Sequence, residues 1–212
     1  MNDIPTNNPA PSGSPASGVI ERAKNIILKP AETWPVIAAE PATTQSIYVP
    51  YVLLLAAIGP LAGFLGGQLF GITVFGVTYH PPLVGALVSA IVTYGMALAT
   101  TFVLALVIDA LAPNFGGQKN PVQALKVAAY SATAGWVGGI FGLIPALSLI
   151  GILFALYGLY LLYLGLPILM KAPQDKALVY TVVVVVVAIV LFLVAGAILG
   201  ALAAPSLVSV RG

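Results

Sequence analysis

Five stretches, residues 48–67, 83–110, 127–144, 147–170 and 178–203, are apolar almost throughout, and they restrict the fold more than any other feature. A hydrocarbon core of roughly 30 Å is crossed by about 20 apolar residues in helical form, because a helix bonds its own backbone N–H and C=O groups. The run VVVVVVAIVLFLV, residues 182–194, is β-branched and would suit a strand in water. The length of its stretch and its lack of alternation make it a spanning helix instead. Composition agrees: 60% of residues are hydrophobic and 7% charged, with a mean hydropathy of +1.06, against about 25% charged in soluble domains. The expected fold is an all-α integral membrane protein, a bundle of five transmembrane helices.

The flanks divide the chain further. Residues 1–17, MNDIPTNNPAPSGSPAS, lack an apolar face and read as a disordered tail. They also lack the basic and apolar regions of a signal peptide. Residues 18–46 form a juxtamembrane segment and residues 47–212 the transmembrane domain. In GVIERAKNIIL, Val19, Ile20, Ala23, Ile26 and Ile27 recur at helical spacing, which predicts an amphipathic helix on a membrane surface. In KPAETWPVIAAEP, Thr33 is the expected N-cap, with Trp34 and Pro35 in the first turn and Pro41 ending the helix. Trp34, Val36 and Ile37 would enter the headgroup boundary while Lys29, Glu32 and Glu40 stay wet. Lys29, Glu32, Thr33, Trp34 and Glu40 are thus the candidate partner surface.

Placement of the basic residues sets the orientation. With the N-terminus inside, Arg22, Lys24, Lys29, Lys119, Lys126, Lys171 and Lys176 are cytoplasmic and Arg211 alone lies outside, accounting for all 8 Lys and Arg. The expected topology is N-in and C-out. The third and fourth stretches meet at IPAL, so a tight helical hairpin around Pro145 is expected. The connection QLFGITVFGVTYHPP, residues 68–82, carries no charge and reads as an apolar loop dipping into the outer interface or packing over the bundle.

Small residues four apart share a helix face and admit a close neighbour. Gly59, Gly63 and Gly67 have this spacing, as do Gly135 with Gly139 and Gly138 with Gly142. Gly151, Gly158 and Gly165 recur every seven residues and make a second smooth seam. These faces suit packing within one subunit or a homo-oligomer. A candidate polar groove combines Tyr94, Thr101 and Asp109 with Tyr130, Tyr157 and Tyr160, joined by Thr93, Thr100, Ser131 and Thr133. Asp109 is the only carboxylate within a stretch. Its place near the end of that stretch points to cytoplasmic water, or to Lys119 or Lys126, as its partner.

Catalytic and metal chemistry find no footing. Without cysteine there is no disulfide or thiolate site, and a single histidine, His80, builds no imidazole cluster. No base adjoins a nucleophile, no carboxylate pair exists and no phosphate-binding loop occurs. No cofactor is expected, and no basic stripe supports nucleic-acid binding. The chain reads as a non-enzyme.

Three segments together resemble the Yip family of five-helix, Ypt/Rab-GTPase-interacting membrane proteins, in its bacterial branch. They are RAKNIILKPAETWPVIAAEPAT (residues 22–43), YVLLLAAIGPLAGFLG (51–66), and AAYSATAGWVGGIFGLIPAL continuing to the junction KAPQDKA and VVVVVVAIV (128–190). The resemblance implies a cytoplasmic N-terminus and five spans. In eukaryotic relatives it implies contact with small Rab-type GTPases, but the acidic-aromatic DLYGP-type signature of those relatives is absent here. The expected function is a non-catalytic scaffold or adaptor of a bacterial inner membrane. It would bind membrane lipids and a protein partner or larger membrane complex at its cytoplasmic face. Two alternatives are a lipid or small-solute conduit and a membrane-shaping homo-oligomer.

Overall fold

The structure is a computed structural model that describes residues 15–74 and 77–208. Most of the expected tail, residues 1–14, lies outside the described residues. Helix α1, Pro15–Leu28, packs beside α2, Pro30–Ala39. Short α3, Thr44–Ile47, opens on a capping box in which Ser46 N donates to Thr43 Oγ1 and Thr43 N to Ser46 Oγ. A π-helical turn, Tyr48–Val52, then leads into α4, Leu53–Ala56, and α5, Ile58–Leu69. Pro50 follows a cis peptide bond, and Val49 leaves helical geometry there.

The segment expected to be an apolar loop is a small β-hairpin. Strands β1, Ile72–Val74, and β2, Val77–Tyr79, are antiparallel with Ile72 opposite Tyr79 and Val74 opposite Val77. Its β-branched residues fit a pleated strand, and Gly71, with φ of 74°, supplies the left-handed turn that leaves α5.

Helix α6, Leu83–Leu111, is followed by a 3₁₀ turn, Ala112–Phe115, and by Gly116 in the left-handed region. Helix α7, Pro121–Gly138, begins at Asn120, whose side chain accepts from Gln123 N at 3.1 Å, with proline at the first position. It continues as 3₁₀ turns, Gly139–Leu143 and Pro145–Leu147, and turns back into α8, Ser148–Leu169. The expected hairpin between the third and fourth stretches is therefore present, and α7 and α8 pack together along their length. Helix α9, Gln174–Val208, completes the bundle.

Among the described residues, four helical segments are long and apolar enough to cross a membrane: Thr44–Leu69, Leu83–Phe115, Leu149–Leu169 and Gln174–Val194. Helix α7 is not among them, because Gln123, Lys126, Ser131 and Thr133 lower its hydropathy, and its position accommodates them. It is the central helix, in contact with α1, α3, α4, α5, α6 and α8. Lys126, Ser131 and Thr133 on it are all buried. Protein rather than lipid surrounds its polar groups, while Ala124, Ala128, Ala129 and Ala134 let its neighbours approach.

Glycine contacts join these helices tightly. A methyl built on Gly139 would lie 2.7 Å from Gly59 Cα, and one on Gly66 would lie 2.5 Å from the Gly142 carbonyl oxygen. Gly142 faces Gly63 N at 3.7 Å in the same sense, whereas Gly67 meets only Pro81 and Ile72 side chains at ordinary distances. Gly135 faces Ala155 Cα, Gly138 lies against Phe154 and Gly151, and Gly158 faces the Ser131 carbonyl. Each of these contacts lies within one chain.

Candidate functional site

The collar formed by α1 and α2 is fastened to the bundle by both packing and hydrogen bonds. Val19, Ala23 and Ile26 of α1 are buried against protein, and Ile20 is 67% exposed. The apolar stripe expected to lie on a membrane surface thus faces the bundle for most of its length. Thr33 is not an N-cap, because α2 begins at Pro30, one turn earlier than expected. Its hydroxyl instead donates to Lys29 O at 2.7 Å and to Asn25 O at 3.0 Å, which ties α2 back to α1.

Trp34 departs furthest from expectation. It is fully buried, as is Ile37, so neither side chain enters a headgroup boundary; Val36 remains exposed. The indole fills the notch at Gly165 of α8 and meets Tyr130 edge-on, with ring centroids 6.4 Å apart. Tyr130 in turn leans on Tyr51 at 4.7 Å, and the Tyr51 and Thr133 hydroxyls are hydrogen-bonded at 2.7 Å.

The C-terminal carbonyls of a helix lack partners within it, and here the bundle supplies them. Lys126 Nζ donates to Ile37 O at 2.7 Å and to Glu40 O at 2.6 Å, while Gln123 Nε2 donates to Ala38 O at 2.9 Å. A cation at that end also complements the helix dipole. Burial pushes the Lys126 ammonium pKa below its ordinary value, while the nearby Glu40 carboxylate opposes that shift. Glu40 also pairs with Arg22 of α1. At the end of α1, the Tyr157 hydroxyl donates to Ile27 O at 2.7 Å. The sequence places Lys126 as an orienting charge and a candidate partner of Asp109, not as a bridge to α2. A lysine directly before the apolar stretch 127–144 is the one signal of its bridging position.

The outer side of the collar remains open. Lys29 and Glu32 are exposed and 3.9 Å apart, and Pro35 and Val36 lie outward beside them.

The six groove candidates do not form one group, although Tyr157 and Tyr160 lie side by side. The Tyr94 hydroxyl donates to Leu53 O at 3.0 Å, and Thr101 Oγ1 donates to Ala97 O in its own helix. Tyr130 lies in the aromatic stack, Tyr157 binds α1, and Tyr160 is exposed beside Tyr157. The Tyr94, Thr101 and Tyr157 hydroxyls are each engaged with a different backbone carbonyl. Asp109 pairs with neither lysine proposed for it: Lys126 is committed to α2, and no ion pair to Asp109 occurs among the described residues. One Asp109 oxygen is buried without a hydrogen-bond partner. Beside it Tyr180, unremarked in the sequence, is fully buried, donates to Ile108 O and stacks on Phe115 at 4.8 Å.

A collar of short helices bolted to a bundle of apolar, membrane-length helices defines a helical membrane protein, and a multi-pass location fits it. The chain belongs to the Yip1 domain family, whose model matches residues 24–196. No curated protein and no solved structure matches the chain. The matched region begins inside α1 and includes the whole of α2, so α2 and the end of α1 lie within the family's domain.

Proposed function

We propose that this protein is a non-catalytic scaffold or adaptor of a bacterial inner membrane, with its N-terminus in the cytoplasm and its partner surface on the collar. The chain crosses the bilayer five times in this reading. Residues 127–144 make the third crossing, shielded from lipid by the helices around them. The distribution of Lys and Arg supports the orientation.

One observation carries the proposal. The collar is held rigidly by Trp34, Gln123 and Lys126, yet Lys29, Glu32, Pro35 and Val36 face outward. A pre-ordered surface binds a protein partner without the entropic cost of ordering a loop. Gly59, Gly66, Gly135 and Gly139 already face backbone of the same chain, which supports a scaffold over a membrane-shaping oligomer.

Purification in mild detergent, followed by mass analysis of bound proteins, tests this reading. A recurrent partner is expected with the native chain and is lost from a Lys29→Glu, Glu32→Lys, Val36→Glu variant. A lone monomer in both preparations counts against the adaptor role.

A further inference from the structure

Between α5 and α6, beneath the hairpin, lies a cleft of about 710 Å³. That volume falls within the roughly 300–1,000 Å³ of small-molecule sites. Phe64, Ile72, Val88 and Val92 line it, with the hydroxyls of Ser89 and Thr93 among its polar groups. Val88 is also 54% exposed, so the cleft has a mouth on the exposed side of α6. None of the six groove candidates borders it.

Two glycines give the cleft its depth. Gly63 and Gly85 line it, and a methyl built on either would meet no atom within 4 Å. Glycine inside a helix is destabilising relative to alanine. Gly66 gains a close backbone contact in return, whereas Gly63 and Gly85 open space that no part of the described chain fills.

The surroundings identify the occupant. Both walls belong to segments long and apolar enough to span a membrane, Thr44–Leu69 and Leu83–Phe115. Leu61, Leu65, Val84, Leu87 and Ile91 are exposed on these same helices. In a bilayer that exposed side is bathed in hydrocarbon chains, so the apolar space behind it takes up an acyl chain rather than water. The segment 68–82 at the hairpin end contains no Lys, Arg, Asp or Glu, so it offers no fixed charge to select an anionic or cationic headgroup. We propose that the α5–α6 cleft is a binding site for one acyl chain of a bilayer phospholipid, selected by the fit of the chain and not by headgroup charge.

Photolabelling of the full chain in phosphatidylcholine vesicles tests this. The probe is phosphatidylcholine with a diazirine on one acyl chain, and the labelled peptides are mapped by mass spectrometry. Labelling of residues 63–67 and 85–93 is expected to exceed that of the exposed α9 face, residues 186–194, by about five-fold or more. The same ratio is expected with diazirine-acyl phosphatidylglycerol. Gly63→Leu with Gly85→Leu fills the cleft and reduces its labelling to the α9 level. Gly63→Ala with Gly85→Ala leaves room and preserves it. Native-chain labelling no higher than at α9, or a ten-fold preference for one headgroup, overturns the proposal whether or not the filled variant folds. So does cross-linking between copies through a single cysteine at Ser89→Cys, because a second chain then occupies the cleft.

Discussion

Trp34 of the collar and Gly165 of α8 form a knob and its notch: a methyl built on Gly165 would lie 2.7 Å from the indole Cζ2. The two residues are far apart in sequence, and neither can be enlarged or removed without disturbing the other. Their contact makes the collar part of the bundle's core.

Trp34→Ala empties a fully buried site, and a change of this kind costs about 3–5 kcal/mol in a protein core. Limited proteolysis in detergent should cut residues 18–41 markedly faster in this variant. Unchanged cleavage would show that hydrogen bonds alone hold the collar.

Lys126→Met leaves Ile37 O and Glu40 O without the donor that now reaches both. Ile37 O is the buried one of the two, and an unsatisfied buried carbonyl costs about 1–3 kcal/mol, so a fall in Tm of several degrees is expected in detergent. Lys29→Met, at an exposed side chain whose pairing is weak, should leave Tm nearly unchanged.

Gly66→Ala and Gly63→Ala, three residues apart, should act in opposite directions. The first drives a methyl to within 2.5 Å of the Gly142 oxygen and should destabilise the protein through strain of about 1–3 kcal/mol. The second meets no atom within 4 Å and should stabilise it by up to about 1 kcal/mol through helix propensity. Paired thermal unfolding measurements would show the two signs.

The chain has no cysteine, so single substitutions report topology without background. Lys29→Cys and Lys176→Cys should react with a membrane-impermeant maleimide only in inside-out vesicles. His80→Cys should react only in right-side-out vesicles. Labelling of Lys29→Cys and His80→Cys from the same side would refute the proposed orientation.

How much was legible in the sequence differs from element to element. The ranges 83–110 and 147–170 match α6 and α8 to within a residue at each end, because a long apolar run in lipid must satisfy its own backbone. The hairpin at 72–79 is an apolar loop by sequence alone. Its strands are three residues each, too short for alternation to register. The third stretch was bounded at residue 127, yet α7 begins at Pro121. Its polar first turns break the apolar run, and they are covered by α1 and α2, which no local pattern reveals.

The sequence by itself determined the class of the fold, since unsatisfied backbone groups are too costly in hydrocarbon for any other arrangement of such apolar stretches. It also marked the small-residue faces as places of close approach, but not which neighbour each would meet: Gly66 meets a backbone, Gly165 an indole, and Gly63 nothing. Tertiary structure decided where Trp34 goes, what Lys126 binds and which carbonyls the Tyr94 and Tyr157 hydroxyls reach. The physical reason is that an amphipathic segment records only that one side avoids water. Lipid and protein satisfy that side equally well, and the choice between them depends on the shape of distant residues such as Gly165.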